Sequence, residues 1–145
     1  MPDMSAMRTP RTLSPYLLVQ EFLRDEPWQL LCACILLNQS TAKSVWKILP
    51  EFLDRYPDGE RLLMAPHEEV ADLLRPTGLY NVKTKRLRSM TEKYLTGGWT
   101  EPEDLPGVGR YAADSYNMFF RGRIVEDVED KELKNYLLWS KMKDF

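Results

Sequence analysis

The sequence predicts an all-α fold, and three observations carry that expectation. Prolines and glycines punctuate the chain at the ends of helical segments rather than throughout it. One segment, LLCACILL at 30–37, is almost continuously apolar, as a helix buried on every side would be. No window alternates apolar and polar residues over strand length; 123–128 alone reads as briefly extended. The expected architecture is about seven to nine short helices rather than a bundle of long ones.

Residues 1–13 carry Pro, Ser, Thr, Arg and three methionines with no periodicity, and read as a disordered leader or expression remnant. The domain is expected over 14–145. Ser14-Pro15 reads as an N-cap followed by proline at the first helical position, opening a helix to about Arg24. Glu26-Pro27 opens the apolar helix, which ends near Asn38. Ser40-Thr41 caps a third segment to about Tyr56, with Pro50 expected to kink or break it near Leu49. Pro66 starts a fourth helix with Val70, Leu73 and Leu74 inward, stopped by Pro76 and Gly78. A fifth runs from about Val82 to Leu95 and ends at Gly97-Gly98. A turn at 102–105 leads into LPGVG, a sixth helix spans Gly109 to about Phe120, and the last runs from Asp130 to Lys141.

The composition narrows the function. The hydrophobic fraction is 43% of 145 residues, enough for one packed core, and the net charge of -2 announces no nucleic acid by itself. Any such role needs a local patch. No apolar run reaches the eighteen or so residues of a membrane span, and the first residues do not form a signal peptide. Cys32 and Cys34, two apart on a helix, point to different sides and read as core thiols; the sole histidine, His67, is too far along the chain to complete a zinc site.

Two local features suggest chemistry. In LPGVGRY at 105–111, Gly107 and Gly109 allow positive φ or close approach of another backbone, directly before a helix whose first amides have no carbonyl partner. Such amides suit a phosphate oxygen, and Arg110 stands ready to add charge. The alternative is a plain helix–helix connector. Downstream, Glu126, Asp127, Glu129, Asp130 and Glu132 form either a solvated acidic loop or the setting of one placed carboxylate. Asp130, just ahead of the last helix, can act as its N-cap and so hold a fixed direction; Asp127 is the runner-up.

The LPGVG turn resembles the hairpin of the helix-hairpin-helix DNA glycosylase superfamily. The segments SPYLLVQE (14–21), PWQLL (27–31), LLNQSTAK (36–43), GLY (78–80), GVGRYAADSY (107–116) and EDKELKNY (129–136) look like the glycosylase domain of the methyl-CpG-binding, mismatch-specific thymine glycosylases, in order from Ser14 to Trp139. The resemblance implies a helix-hairpin-helix glycosylase fold with the active site in a cleft. It implies Asp130 as the catalytic aspartate and Gln20 and Tyr111 as base-pocket residues. Leu79 is implied as an apolar wedge, with ordinary core as the alternative, and Gln39 as a second group entering the duplex. Related bifunctional enzymes have a lysine where Tyr111 stands; a tyrosine forms no Schiff base, so base release without strand cleavage is expected.

Gly107, Gly109 and Arg110 are expected at phosphates, together with Lys83, Lys85, Arg86 and Arg88, four cations with no acid within 81–90. The resemblance also implies room for a monovalent cation on the carbonyls of Leu105 and Gly107, no other cofactor, and a nuclear location. Two cysteines are too few for the iron–sulfur cluster of some superfamily members. The close relatives carry an arginine at Gln39 and a lysine at Glu132, departures that bear on mismatch preference and on DNA affinity. The expected activity is excision of thymine or uracil opposite guanine from double-stranded DNA by a monomer, through base flipping in base excision repair. A non-catalytic DNA-binding module, and a glycosylase for adenine or alkylated bases, are the alternatives.

Overall fold

Pro27 opens helix α2 (Pro27–Leu37), in which Trp28 and every residue from Leu30 to Leu36 is buried. A helix apolar all round belongs at the centre, and α2 packs against α1 (Val19–Phe22), α3 (Ala42–Arg55), α6 (Tyr80–Thr96) and α7 (Arg110–Ser115). The computed structural model describes residues 12–142; the expected leader lies almost wholly outside them. Between these helices lie α4 (Gly59–Met64) and α5 (His67–Leu74), and α8 (Lys131–Met142) closes the chain. No strand occurs among the described residues, 123–128 included. The all-α expectation holds.

The first expected helix is much shorter than its proline suggests. Residues 14–18 form a loop, with Leu17 at φ 49°, and only Val19–Phe22 is helical. The cause is Glu21, which is buried. Its carboxylate accepts from Ser14 N at 2.6 Å, Ser14 Oγ at 2.7 Å and Leu18 N at 2.7 Å. Three bonds to one carboxylate compete successfully with helix propagation.

Pro50 neither breaks nor ends α3. A mid-helix proline costs about 3 kcal/mol. Val45, Ile48, Leu49 and Phe52 are all buried from the same helix, and each contributes roughly 1.5–3 kcal/mol by leaving water. Packing outweighs the local penalty. Helix α4 was not expected; its signal is Asp58, whose Oδ1 accepts from Arg61 N at 2.9 Å as an N-cap. Trp28 Nε1 donates to Thr91 Oγ1 at 3.0 Å and ties α2 to α6.

The chain passes from α5 through a 3₁₀ turn, Arg75–Thr77, to Gly78 and Leu79, then into α6, which stops at Gly97 with φ 83°. A second 3₁₀ turn, Pro102–Asp104, precedes the hairpin, and α7 widens into a π-helical turn at Tyr116–Phe120. Two cavities lie here: one between the end of α2, Arg86 in the middle of α6 and the hairpin before α7, the other between the starts of α7 and α8.

Candidate active site

The centre of the site is a buried carboxamide. Gln20 is 1% exposed, and its Nε2 donates to Tyr111 Oη at 2.6 Å and to Ser115 Oγ at 3.2 Å. Helix α1 supplies the glutamine and α7 the other two, four residues apart on one face. Both amide hydrogens are therefore engaged. The carbonyl oxygen Oε1 has no hydrogen-bond donor among the described residues. Burial, foremost, and then the nearby Cys34 push the Tyr111 phenol far above its usual range, so it stays protonated. Because Tyr111 Oη accepts from Gln20, its own hydrogen remains to be donated.

Asp130 stands beside this pair. Its Oδ2 accepts from Leu133 N at 2.9 Å, the N-cap of α8, which leaves Oδ1 unconstrained by the cap. A cavity of about 250 Å³ is lined by Arg110, Tyr111, Asp114, Glu129 and Asp130. Ser115 and Asp114 were missed by sequence reasoning. Ser115, four residues after Tyr111, had a readable signal in that spacing. Asp114 is 9% exposed; burial raises its carboxyl, and Arg110, 3.6 Å away, pulls it back. Cys34, expected as a core thiol, is buried but also lines a larger cavity of about 370 Å³. Burial pushes its thiol up to about 12, against a smaller pull from the Ser115 hydroxyl.

That larger cavity opens between the end of α2 and the hairpin, lined by Ile35, Asn38, Arg86, Val108 and Ala112 among others. Gly107 has φ 80°, and a Cβ there would stand 3.1 Å from Arg86 Cβ and 3.2 Å from the Arg86 carbonyl. Close approach to α6 and a left-handed backbone both demand glycine. Gly109 differs from the expectation: its φ is -89°, an ordinary value, and a Cβ would meet nothing within 4 Å. Val108 N donates to Leu105 O at 3.2 Å, while the amides of Gly107, Gly109 and Arg110 have no acceptor among the described residues. Leu105 O thus keeps one lone pair.

The cations divide. Lys85 is exposed, and Arg86 is half-buried at the cavity edge. Lys83 is not on the rim: it is 0% exposed and its Nζ donates to Thr77 O at 2.7 Å. Burial, then Arg86, pulls its ammonium down to about 8. Arg88 is also turned inward, donating to Ala65 O at 2.6 Å and Leu63 O at 3.2 Å, where it caps the end of α4. Arg110 is exposed but engaged, with Glu129 at 2.7 Å, Asp114 at 3.6 Å and the Asp127 carbonyl. Backbone carbonyls hold Lys83 and Arg88 inward, and Glu129 and Asp114 hold Arg110 at the surface, away from the phosphate role the spacing suggested. Leu79 is 44% exposed with φ 46°, and Gln39 is exposed with φ 53°. Both residues expected to enter the duplex thus hold a left-handed conformation that costs a non-glycine residue about 1–2 kcal/mol. Asp127, the alternative to Asp130, is exposed, with φ 56°.

The family description HhH-GPD superfamily base excision DNA repair protein matches residues 32–144. The chain belongs to this superfamily. A methyl-CpG-binding domain protein 4-like protein of Arabidopsis thaliana is 31% identical over 123 residues, which is 85% of this chain and 28% of that protein. A thymine/uracil-DNA glycosylase of Pyrobaculum aerophilum is 38% identical over 95 residues, 61% of this chain and 41% of the other. Among solved structures, a thermostable thymine-DNA glycosylase aligns at TM-score 0.66 with 28% identity, over 72% of this chain and 52% of that one. The chain spans about half or less of the length of these relatives.

Proposed function

We propose that this member of the superfamily is a monofunctional DNA glycosylase that hydrolyses the N-glycosidic bond of thymine or uracil opposite guanine. The observation that carries it is the pairing of Gln20 Oε1, an acceptor, with the Tyr111 hydroxyl, a donor, beside Asp130. Thymine and uracil offer the complement, an imino N–H next to a carbonyl oxygen. Cytosine presents a lone pair at the same ring nitrogen, which would face the glutamine oxygen. A buried polar site rejects a mispaired edge strongly because both groups stay unsatisfied. The names of the relatives that act on thymine and uracil support the same choice.

The chemistry follows from the carboxylate. As the base–sugar bond breaks, its electron pair departs on the pyrimidine nitrogen and positive charge builds on the deoxyribose. Asp130 stabilises that charge and orients water, whose oxygen bonds to the sugar carbon while its proton passes to the carboxylate and then to solvent. The departing pyrimidine anion, hydrogen-bonded at its oxygens, takes up a proton afterwards. Tyr111 supplies no amine, so no Schiff base forms and the strand stays intact. The amides of Gly107, Gly109 and Arg110, with Lys85 and Arg86, hold phosphates on either side of the extruded nucleotide, and a cation on the Leu105 and Gly107 carbonyls would add charge there.

The test is a panel of duplexes, each with one lesion, treated with and without alkali. Release of thymine and uracil opposite guanine, with nicking only after alkali, is expected. Nicking without alkali contradicts the role of Tyr111. No release from any duplex makes the chain a binding module, and release of adenine or alkylated bases alone overturns the pocket assignment.

A further inference from the structure

Lys83 has a fully buried side chain. Burying an ammonium costs several kcal/mol, and replacing buried charges with apolar groups of like volume is often neutral or stabilising. Core packing therefore gives no reason for a charge at this position. What the residue touches does. Its Nζ donates to Thr77 O at 2.7 Å, and its backbone N–H donates to Leu79 O at 2.8 Å. The side chain of Lys83 thus grips the chain just before Gly78, while its backbone bond to Leu79 O is the first i to i−4 bond of α6, which any residue but proline would make there. Thr77 is 3% exposed and anchored in turn by its Oγ1 on Leu74 O at 2.8 Å. Gly78 and Leu79 have φ 74° and 46°, and the Leu79 side chain projects into solvent.

A strained, solvent-facing leucine at the head of a 17-residue helix does not stabilise the free protein. Left unanchored, the turn would have to be ordered during DNA binding, at roughly 1–2 kcal/mol per residue. We propose that Lys83 is a positioning residue for base extrusion, whose ammonium on the Thr77 carbonyl presets the turn that aims Leu79 into the duplex. This rests on the glycosylase reading above and on Leu79 as the wedge.

The experiment is single-turnover base release by Lys83→Met, which keeps an unbranched apolar stem and removes the donor. Two duplexes are compared: thymine opposite guanine, and thymine opposite an abasic site, where no pair has to be broken. On the mismatch the variant should be about tenfold slower, the equivalent of ordering one residue; opposite the abasic site it should stay within about twofold. Leu79→Ala should show the same pattern, and adding Lys83→Met to it should slow release no further. Equal loss on both duplexes, or losses that multiply in the double variant, would overturn the proposal.

Gly78→Ala gives an independent arm should Lys83→Met fold poorly. A Cβ at Gly78 meets nothing within 4 Å, so the core is untouched while the φ of 74° becomes unfavourable. It should reproduce the mismatch-selective loss; undiminished release would refute the preset turn. If the wild-type protein releases no base from either duplex, the glycosylase reading itself fails. If it is active and both variants match it, only the role of Lys83 fails.

Discussion

The cleft has two walls that use polar groups in opposite ways. On the inner wall, Gln20, Tyr111 and Ser115 are buried or half-buried and bonded to one another, and Asp130 is held by the cap of α8. On the outer wall, the Lys85 side chain and the amides of Gly107, Gly109 and Arg110 have no protein partners among the described residues. The inner wall is a preorganised template in which both Gln20 amide hydrogens are engaged and the Tyr111 hydrogen is left to donate. The outer wall is a set of open groups whose partners must come from elsewhere. Loss of an inner group is thus expected to appear in the rate of base release, and loss of an outer group in affinity and its dependence on salt.

The sharpest way to break that division is Asp130→Asn. Asparagine caps a helix as well as aspartate does, so α8 should survive. Base release should fall about a thousandfold or more, with mismatch binding retained in a gel-shift assay. A variant that keeps its rate would move the chemistry to Asp114 or Glu129, the other carboxylates lining the cavity. Next in size is Gln20→Ala, which removes the imino acceptor and leaves Tyr111 and Ser115 unpaired. Single-turnover release of thymine should drop by about a hundredfold, near 2–3 kcal/mol, with affinity little changed. Ser115→Ala frees one amide hydrogen of Gln20 and should weaken discrimination against cytosine opposite guanine.

On the outer wall the expected effects are smaller and lie in binding. Lys85→Ala and Arg86→Ala should each reduce the slope of log affinity against log salt by about one, read from fluorescence anisotropy at several salt concentrations. Arg110→Ala should leave that slope unchanged, because its guanidinium is already engaged by Glu129, Asp114 and the Asp127 carbonyl. If Arg110 behaves like Arg86, it leaves the acidic loop when DNA arrives. The smallest effect concerns stability alone. The Cys34 thiol titrates at about 12 in the fold, against 9.0 when unperturbed. Between these values the unfolded chain holds fewer protons than the folded one. Stability from this group is therefore complete below pH 9 and declines as pH rises toward 12. Urea midpoints at pH 8 and pH 10 should show the decline, and Cys34→Ala should reduce it.

Much of the scaffold was legible before the structure. Proline and glycine marked the ends of α2, α5 and α6 to within about two residues, and Asp130 announced the cap of α8, because these signals act within one turn of chain. Gly107 was legible for the same reason. The failures share one cause. Ser14 and Pro15 looked like a helix start until Glu21 claimed the loop; Pro50 looked like a break until the packing of α3 outweighed it. Lys83, Arg88 and Arg110 formed a plausible basic rim on spacing alone, but Lys83 and Arg88 bond the carbonyls at the ends of other segments and Arg110 bonds the Glu129 carboxylate.

The residues of the chain, read without coordinates, were enough for the helical class, the hairpin, the capping aspartate and the family they resemble. Each of those depends on local backbone geometry, which neighbouring side chains dictate. Folding in three dimensions alone chose which polar groups are used up inside and which face outward. Gln20 meets Tyr111 across 91 residues and Arg88 meets Ala65 across 23, and such pairings are settled by burial, where an unpaired donor or acceptor costs too much to leave.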